Sequence, residues 1–274
     1  MVPGREMTEG WITEGPVLLD FSQRVATLTL NRPDASNGMN IALMRALHGA
    51  VMRCHGDPRV RVVHLRGVGP NFCAGGDVRE FASKGEQLGD FLREVTAYLQ
   101  MAVGALIRLN SIVVTEVHGY AAGGGGLGLV CASDIVIAGK SAKFLAGATR
   151  VGMAPDGGAS VVLPRLVGYR RAADIILSNR VVGADEALDI GLITRVVPDD
   201  ELAGEARKLA TNYAKGAPKA MAAAKRLLWN GLGIGVETCL PEEARTVAEL
   251  SASADAREGL AAVLEKRPPV FTGR

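Results

Sequence analysis

Several common signals are missing from this chain, and each absence removes a class of function. Aromatic residues are 4% of its 274 positions, too few for a surface that stacks successive bases. Lys plus Arg number 31 against 29 Asp plus Glu. No run of like charge forms a tail, so neither nucleic acid nor a membrane surface is expected as a partner. No window offers the roughly 18 uncharged apolar residues of a membrane span. Residues 1–15 lack the apolar run of a secretion signal, which makes the cytosol the default compartment. The cysteines, Cys54, Cys73, Cys131 and Cys239, are scattered without a C-x-x-C pair, and the histidines include no H-E-x-x-H. That spacing points to buried free thiols, with neither a zinc site nor a redox pair.

Glycine, by contrast, is abundant, with 34 residues, four of them consecutive (Gly123–Gly126) in the otherwise apolar stretch "HGYAAGGGGLGLVCASD" from His118 to Asp134. Each glycine costs about 1 kcal/mol relative to alanine inside a helix. A run of four in an apolar segment implies that the backbone itself is in use there.

Periodicity sets the frame. "GPVLLDFSQRVATLTLNRP" alternates as two strands ending at Pro33. "NIALMRALHGAVMRCHG" has helical spacing after a cap at Asn40, and "DFLREVTAYLQMAVGALIRLN" is a long amphipathic helix. "RVRVVHLRG", "SIVVTEVHG", "DIVIAG", "AKFLAG" and "LITRVV" read as strands. From about residue 199 the pattern is helical and alanine-rich. The expected class is α/β, with a core over 1–198 and a helical region over 199–274 that packs on a neighbouring subunit.

Two places join a strand end, a small-residue loop and a helix start: "LRGVGPNFCAGGD" and "VHGYAAGGGGLG". Peptide N–H groups at such turns lack intrahelical partners and attract negative charge. No G-x-x-x-x-G-K-[ST] follows, which argues against a nucleotide P-loop. G-x-G-x-x-G is matched only trivially within polyglycine, and close helix–strand packing is the plainer use of the glycines.

Six collinear stretches, "LTLNRPDASNGMN", "RVVHLRGVGPNFCAGGDVREF", "VHGYAAGGGGLGLVCASDIVIA", "AKFLAGATRVGMAPDGGASVVLPRLVGYRRA", "GADEALDIGLITRVVPDDEL" and "DAREGLAAVLEKRPPVFTG", resemble the crotonase, or enoyl-CoA hydratase/isomerase, superfamily over nearly the whole chain. The resemblance implies a spiral of ββα units, a homotrimer or dimer of trimers, and acyl-CoA thioesters as substrates. Coenzyme A is then part of the substrate, and no separate cofactor or metal is expected. Two backbone N–H groups are implied around the thioester oxygen. The first falls on Gly76. The second falls on Gly124 counting forward from Gly119, or on Gly125 counting back from Asp134, because the run holds one glycine more than the usual interval; Gly125 is favoured if the following helix keeps its register.

The positions of the two hydratase glutamates fall on Gly128 and Ala148, which cannot transfer a proton. Asp156 of "GMAPDGGAS" resembles the single acid/base of the family's double-bond isomerases; an Asp before a short helix can equally serve as its N-cap. Asp77 resembles a structural position, Glu80 should lie on the next helix, and His118 is expected as a packed, hydrogen-bonded histidine. The implied CoA contacts are Ala35, Ala74, Gly75, Gly76, Asp77 and Val78, with Lys266 and Arg267 as a basic pair for phosphate. The expected function is therefore an enoyl-CoA isomerase using Asp156. Its alternatives are an atypical hydratase, a decarboxylase or lyase of the same family, and a non-catalytic acyl-CoA-binding or assembly protein.

Overall fold

The structure, a computed structural model, describes residues 8–274; residues 1–7, part of the segment examined for a secretion signal, lie outside the described residues. The chain opens with three antiparallel neighbours, β1 (Glu9–Ile12), β2 (Val17–Ser22) and β3 (Val25–Leu30). β2 alternates as read, burying Val17, Leu19 and Phe21 on one face. Helix α1 (Ile41–His55) is capped by Asn40, whose side chain accepts the Leu43 N–H at 2.9 Å. Then come β4 (Val62–Gly67), the short α2 (Val78–Ser83) and the 21-residue α3 (Leu88–Arg108), which lays Val95, Leu99, Ala102, Val103 and Leu106 into the core.

The next turn of the spiral holds β5 (Ile112–Val117), β6 (Tyr120–Ala122), α4 (Gly123–Cys131), β7 (Ile135–Gly139) and β8 (Lys143–Leu145). It is followed by α5 (Ala159–Val167), α6 (Tyr169–Ser178), β9 (Val182–Gly183), α7 (Ala184–Asp189) and β10 (Arg195–Val197). The main sheet has the order β1-β2-β3-β4-β5-β7-β10, parallel from β3 onward, and β6-β8-β9 form a second, small sheet. This is an α/β architecture with mixed sheets and C-terminal helices, as the resemblance implies.

Four helices end the chain: α8 (Leu202–Tyr213), α9 (Pro218–Gly231), α10 (Val236–Ser251) and α11 (Ala254–Glu265). α8 lays Ala210 against Val62, Ile112 and Val114 on one sheet face. The larger cluster, built on α1 and α3, covers the other. α9 is fastened from beneath: the buried Lys225 ammonium meets Asp134 at 2.8 Å and donates to the carbonyls of Leu106 and Ser111 at 2.9 and 3.0 Å. Its three protons thus have three acceptors. Trp229 Nε1 donates to the same Asp134 at 2.9 Å. No described helix is long and apolar enough to cross a membrane.

Candidate active site

Neighbouring parallel strands β4 and β5 send their C-terminal loops to the same end of the sheet, where ligands gather in open α/β folds. The loops are laced together by backbone bonds: Phe72 N–H to the His118 carbonyl, Cys73 N–H to Tyr120, and Ala122 N–H back to Cys73, at 2.9–3.0 Å. Asn37, fully buried, donates to the carbonyls of Val68, Asn71 and Phe72. Asp77 caps α2 by accepting the Glu80 N–H and pairs with Arg32 at 3.0 Å. Glu80 lies on α2, as expected, and accepts from Asn40.

This lacing brings the two glycine loops face to face across a cavity of about 330 Å³. Gly75, Gly76, Gly123 and Gly124 share its wall with Asp156. Gly75, at φ +97°, approaches so closely that an added Cβ would lie 3.1 Å from the Ala122 carbonyl oxygen. The Gly76 N–H has no hydrogen-bond partner among the described residues. Gly124 is in the first turn of α4, where N–H groups have no intrahelical acceptor. Gly125 lies behind that wall, its Cα facing the Met39 side chain.

Asp156 sits against Gly124, where an added Cβ would overlap its carboxyl. Burial pushes the Asp156 carboxyl above the ordinary aspartate range, and the amides of Asp156 itself and of Gly124 pull part of the way back. The carboxyl does not cap α5: the N-cap is Gly158, with no side-chain bond. Its loop is held instead by backbone contact. Gly157, at φ +58°, lies against the Gly124 backbone, and a Cβ on Gly128 would come within 2.7 Å of the Gly157 carbonyl oxygen. Gly128 therefore has no room for a side chain. Ala148 does line the cavity.

Of the implied CoA contacts, Ala74, Gly75, Gly76 and Val78 line the cavity, while Ala35 and Asp77 pack beside it around Gly38. Lys266 is elsewhere, at the left-handed C-cap of α11, and Arg267 is paired with Glu258 and Glu265. His118 bonds the Gly69 carbonyl through Nε2 at 2.9 Å. Cys54, Cys73 and Cys131 are buried and burial pushes each thiol up to about 12, so none is a ready nucleophile. Cavity residues that the sequence reading does not single out include Phe81, Leu92 and Val95, whose only signal is the apolar face of α2 and α3, and Arg150, which has no sequence signal. A larger groove of about 1230 Å³, lined by Arg24, Arg61 and Lys219 among others, lies away from both glycine loops. Among the described residues no group of three His, Cys, Asp or Glu could hold a metal ion.

Loops of neighbouring parallel strands thus bring the unpartnered Gly76 amide, the Gly124 amide and the Asp156 carboxyl to one cavity, an enzyme-like arrangement, and comparison with known proteins gives the family. The enoyl-CoA hydratase/isomerase family model matches residues 20–274, and the chain belongs to that family. It is 40% identical over 255 residues to a probable enoyl-CoA hydratase of Rhodobacter capsulatus, covering 93% of this chain and 97% of that one. It is 33% identical over 259 residues to the 1,2-epoxyphenylacetyl-CoA isomerase of Escherichia coli, covering 94% and 98%. The crystal structure of an enoyl-CoA hydratase from Bacillus anthracis superposes with a TM-score of 0.89 at 31% identity, covering 94% of this chain and all of that one.

Proposed function

We propose that the chain is an enoyl-CoA double-bond isomerase in which Asp156 is the acid/base and the amides of Gly76 and Gly124 bind the thioester oxygen. Removing a proton from the acyl chain beside a thioester passes through an enolate-like state, with negative charge gathering on that oxygen. Each preorganised donor contributes about 3 kcal/mol toward stabilising it. Gly124 is preferred to Gly125 as the second donor because it is on the cavity wall and Gly125 is not; the Gly124 amide, which meets the Asp156 carboxyl in the free enzyme, would be shared with the thioester oxygen in the complex.

One observation carries the reading: among the described residues Asp156 is the only carboxylate lining the cavity, and it lies against Gly124. One carboxylate suffices to take a proton from one carbon and return it to another on the same face. Its raised pKa favours both halves of that transfer. Ordinary hydration would need a second carboxylate, and the candidate positions hold Gly128 and Ala148.

The test uses 2-enoyl- and 3-enoyl-CoAs in heavy water, with products read by mass spectrometry. The expected result is deuterium at the α or γ carbon and a moved double bond without added water, with Asp156→Asn slowing this by about 10²–10⁴-fold. Water addition that survives Asp156→Asn would favour hydration, the reading to which the name of the Rhodobacter relative inclines. Binding without exchange would favour a non-catalytic acyl-CoA carrier. The reading includes a homotrimer or dimer of trimers, supported by Leu228, Val236, Leu240, Val247, Leu260 and Val263 standing exposed on α9–α11; sedimentation equilibrium tests it.

A further inference from the structure

We infer that Arg150 selects acyl chains ending in a carboxylate, so that the preferred substrate is the mono-CoA thioester of an unsaturated dicarboxylic acid. The inference rests on the reading of the cavity as an acyl-thioester site and adds the identity of the acyl tail.

Among the described residues Arg150 is the only cation lining the cavity, and the only charged group there besides Asp156. Arg150 is exposed, and its guanidinium makes no ion pair, hydrogen bond or aromatic contact among the described residues, whereas Arg180, on the segment packed beside the same turn, meets both Asp174 and Glu186. Its backbone is held firmly. The turn Thr149–Val151 closes with Met153 N–H on the Ala148 carbonyl at 3.0 Å, and Thr149 Oγ1 donates to the Ile176 carbonyl and accepts from Asn179. An unpartnered cation on a fixed turn, bordering apolar Val151, Met153 and Ala154, suits one anionic group arriving with the substrate.

Two parts of a CoA thioester carry such a group, the nucleotide phosphates and the end of the acyl chain. The turn bearing Arg150 runs directly into the loop bearing Asp156, six residues on. The CoA-side residues belong to a different segment: Ala74 and Gly75 lie in the loop after β4, and Val78 opens α2, which follows it. Arg150 therefore shares its segment with the acid/base, whose work is on the acyl chain, and a distal carboxylate on that chain is the group assigned to it.

The test measures equilibrium binding of the CoA thioesters of hexanoate and hexanedioate to the full chain by calorimetry, which needs no turnover. For the unsubstituted chain the hexanedioyl thioester should bind roughly tenfold more tightly. Arg150→Gln should bring the affinity ratio near one, and Arg150→Glu should invert it. A ratio near one in the unsubstituted chain overturns the inference. So does a ratio that Arg150→Gln leaves in place while both affinities fall. In that case pantetheine thioesters, which lack the nucleotide phosphates and would be indifferent to the substitution, assign the guanidinium to phosphate. Failure to bind either thioester would sink the acyl-CoA reading itself, whereas lost deuterium exchange with an intact affinity ratio would sink only the isomerase step.

Discussion

The two ends of the central sheet are built on opposite principles. Where β5 and β7 begin, side chains make the join: Lys225 reaches from α9 to Asp134 and two carbonyls, and Trp229 and the Val113 N–H complete the aspartate's set. Where β4 and β5 end, Asn37 and Asn71 tie the loops down, but the cavity wall itself is joined backbone on backbone, with Gly75 against Ala122, Gly157 against Gly124 and Gly128 against Gly157. A side-chain join concentrates its energy in a few groups and is independent of the chemistry. A backbone join spreads it thinly, but fixes the atoms that would do the chemistry.

That contrast sets the expected outcomes. The largest loss of stability should follow Lys225→Met, which strands the Asp134 charge in the interior and should cost about 3–5 kcal/mol in urea unfolding. Adding Asp134→Asn should recover part of this, and the enzyme that remains folded should keep its deuterium-exchange rate. Gly128→Ala should cost less, about 1–3 kcal/mol, because a Cβ forces the Gly157 peptide away. This substitution should also slow exchange, since the displaced loop carries Asp156. If Gly128→Ala lowers stability and spares exchange, the contrast between the two ends fails.

The smallest effect concerns Asp156 itself. Burial raises its folded pKa above the unfolded value, so ionising it costs stability as pH climbs from the unfolded pKa through the folded one. Asp156→Asn should therefore melt at a higher temperature than the unsubstituted chain at pH 7, with the difference closing toward pH about 4. The exchange rate of the unsubstituted enzyme should rise with pH across the same interval, because the base must be ionised. A melting difference that grows as pH falls would contradict the sign.

Much of this arrangement is legible in the residues. β2 to β5, α1 and α3 are long enough for their periods to repeat, and Asn40 caps the helix it precedes. β1, β6 and β9 escape because four, three and two residues hold no full pattern. β6 is further masked by the glycines that follow it. The two counts that give Gly124 or Gly125 differ by a single residue of register, which the sequence cannot resolve because four like residues carry no phase; the fold adds where α4 begins and the φ of +59° at Gly123. Asp156 reads as a cap of α5 until Gly158 is seen at the helix start, which removes the capping role. Arg150 is silent in the sequence because an isolated turn has no period, and only the fold brings it to the cavity wall.

The glycine wall also constrains how this protein could diversify. Gly124, Gly128 and Gly157 have no space for even a methyl group, so mutational drift cannot reshape the inner surface without dismantling it. New selectivity would have to be written elsewhere on the lining, at the exposed Arg150 and Val151 and on the exposed flank of α3, where replacements cost little. Relatives sharing the inner glycines would then differ in their preferred substrates chiefly there.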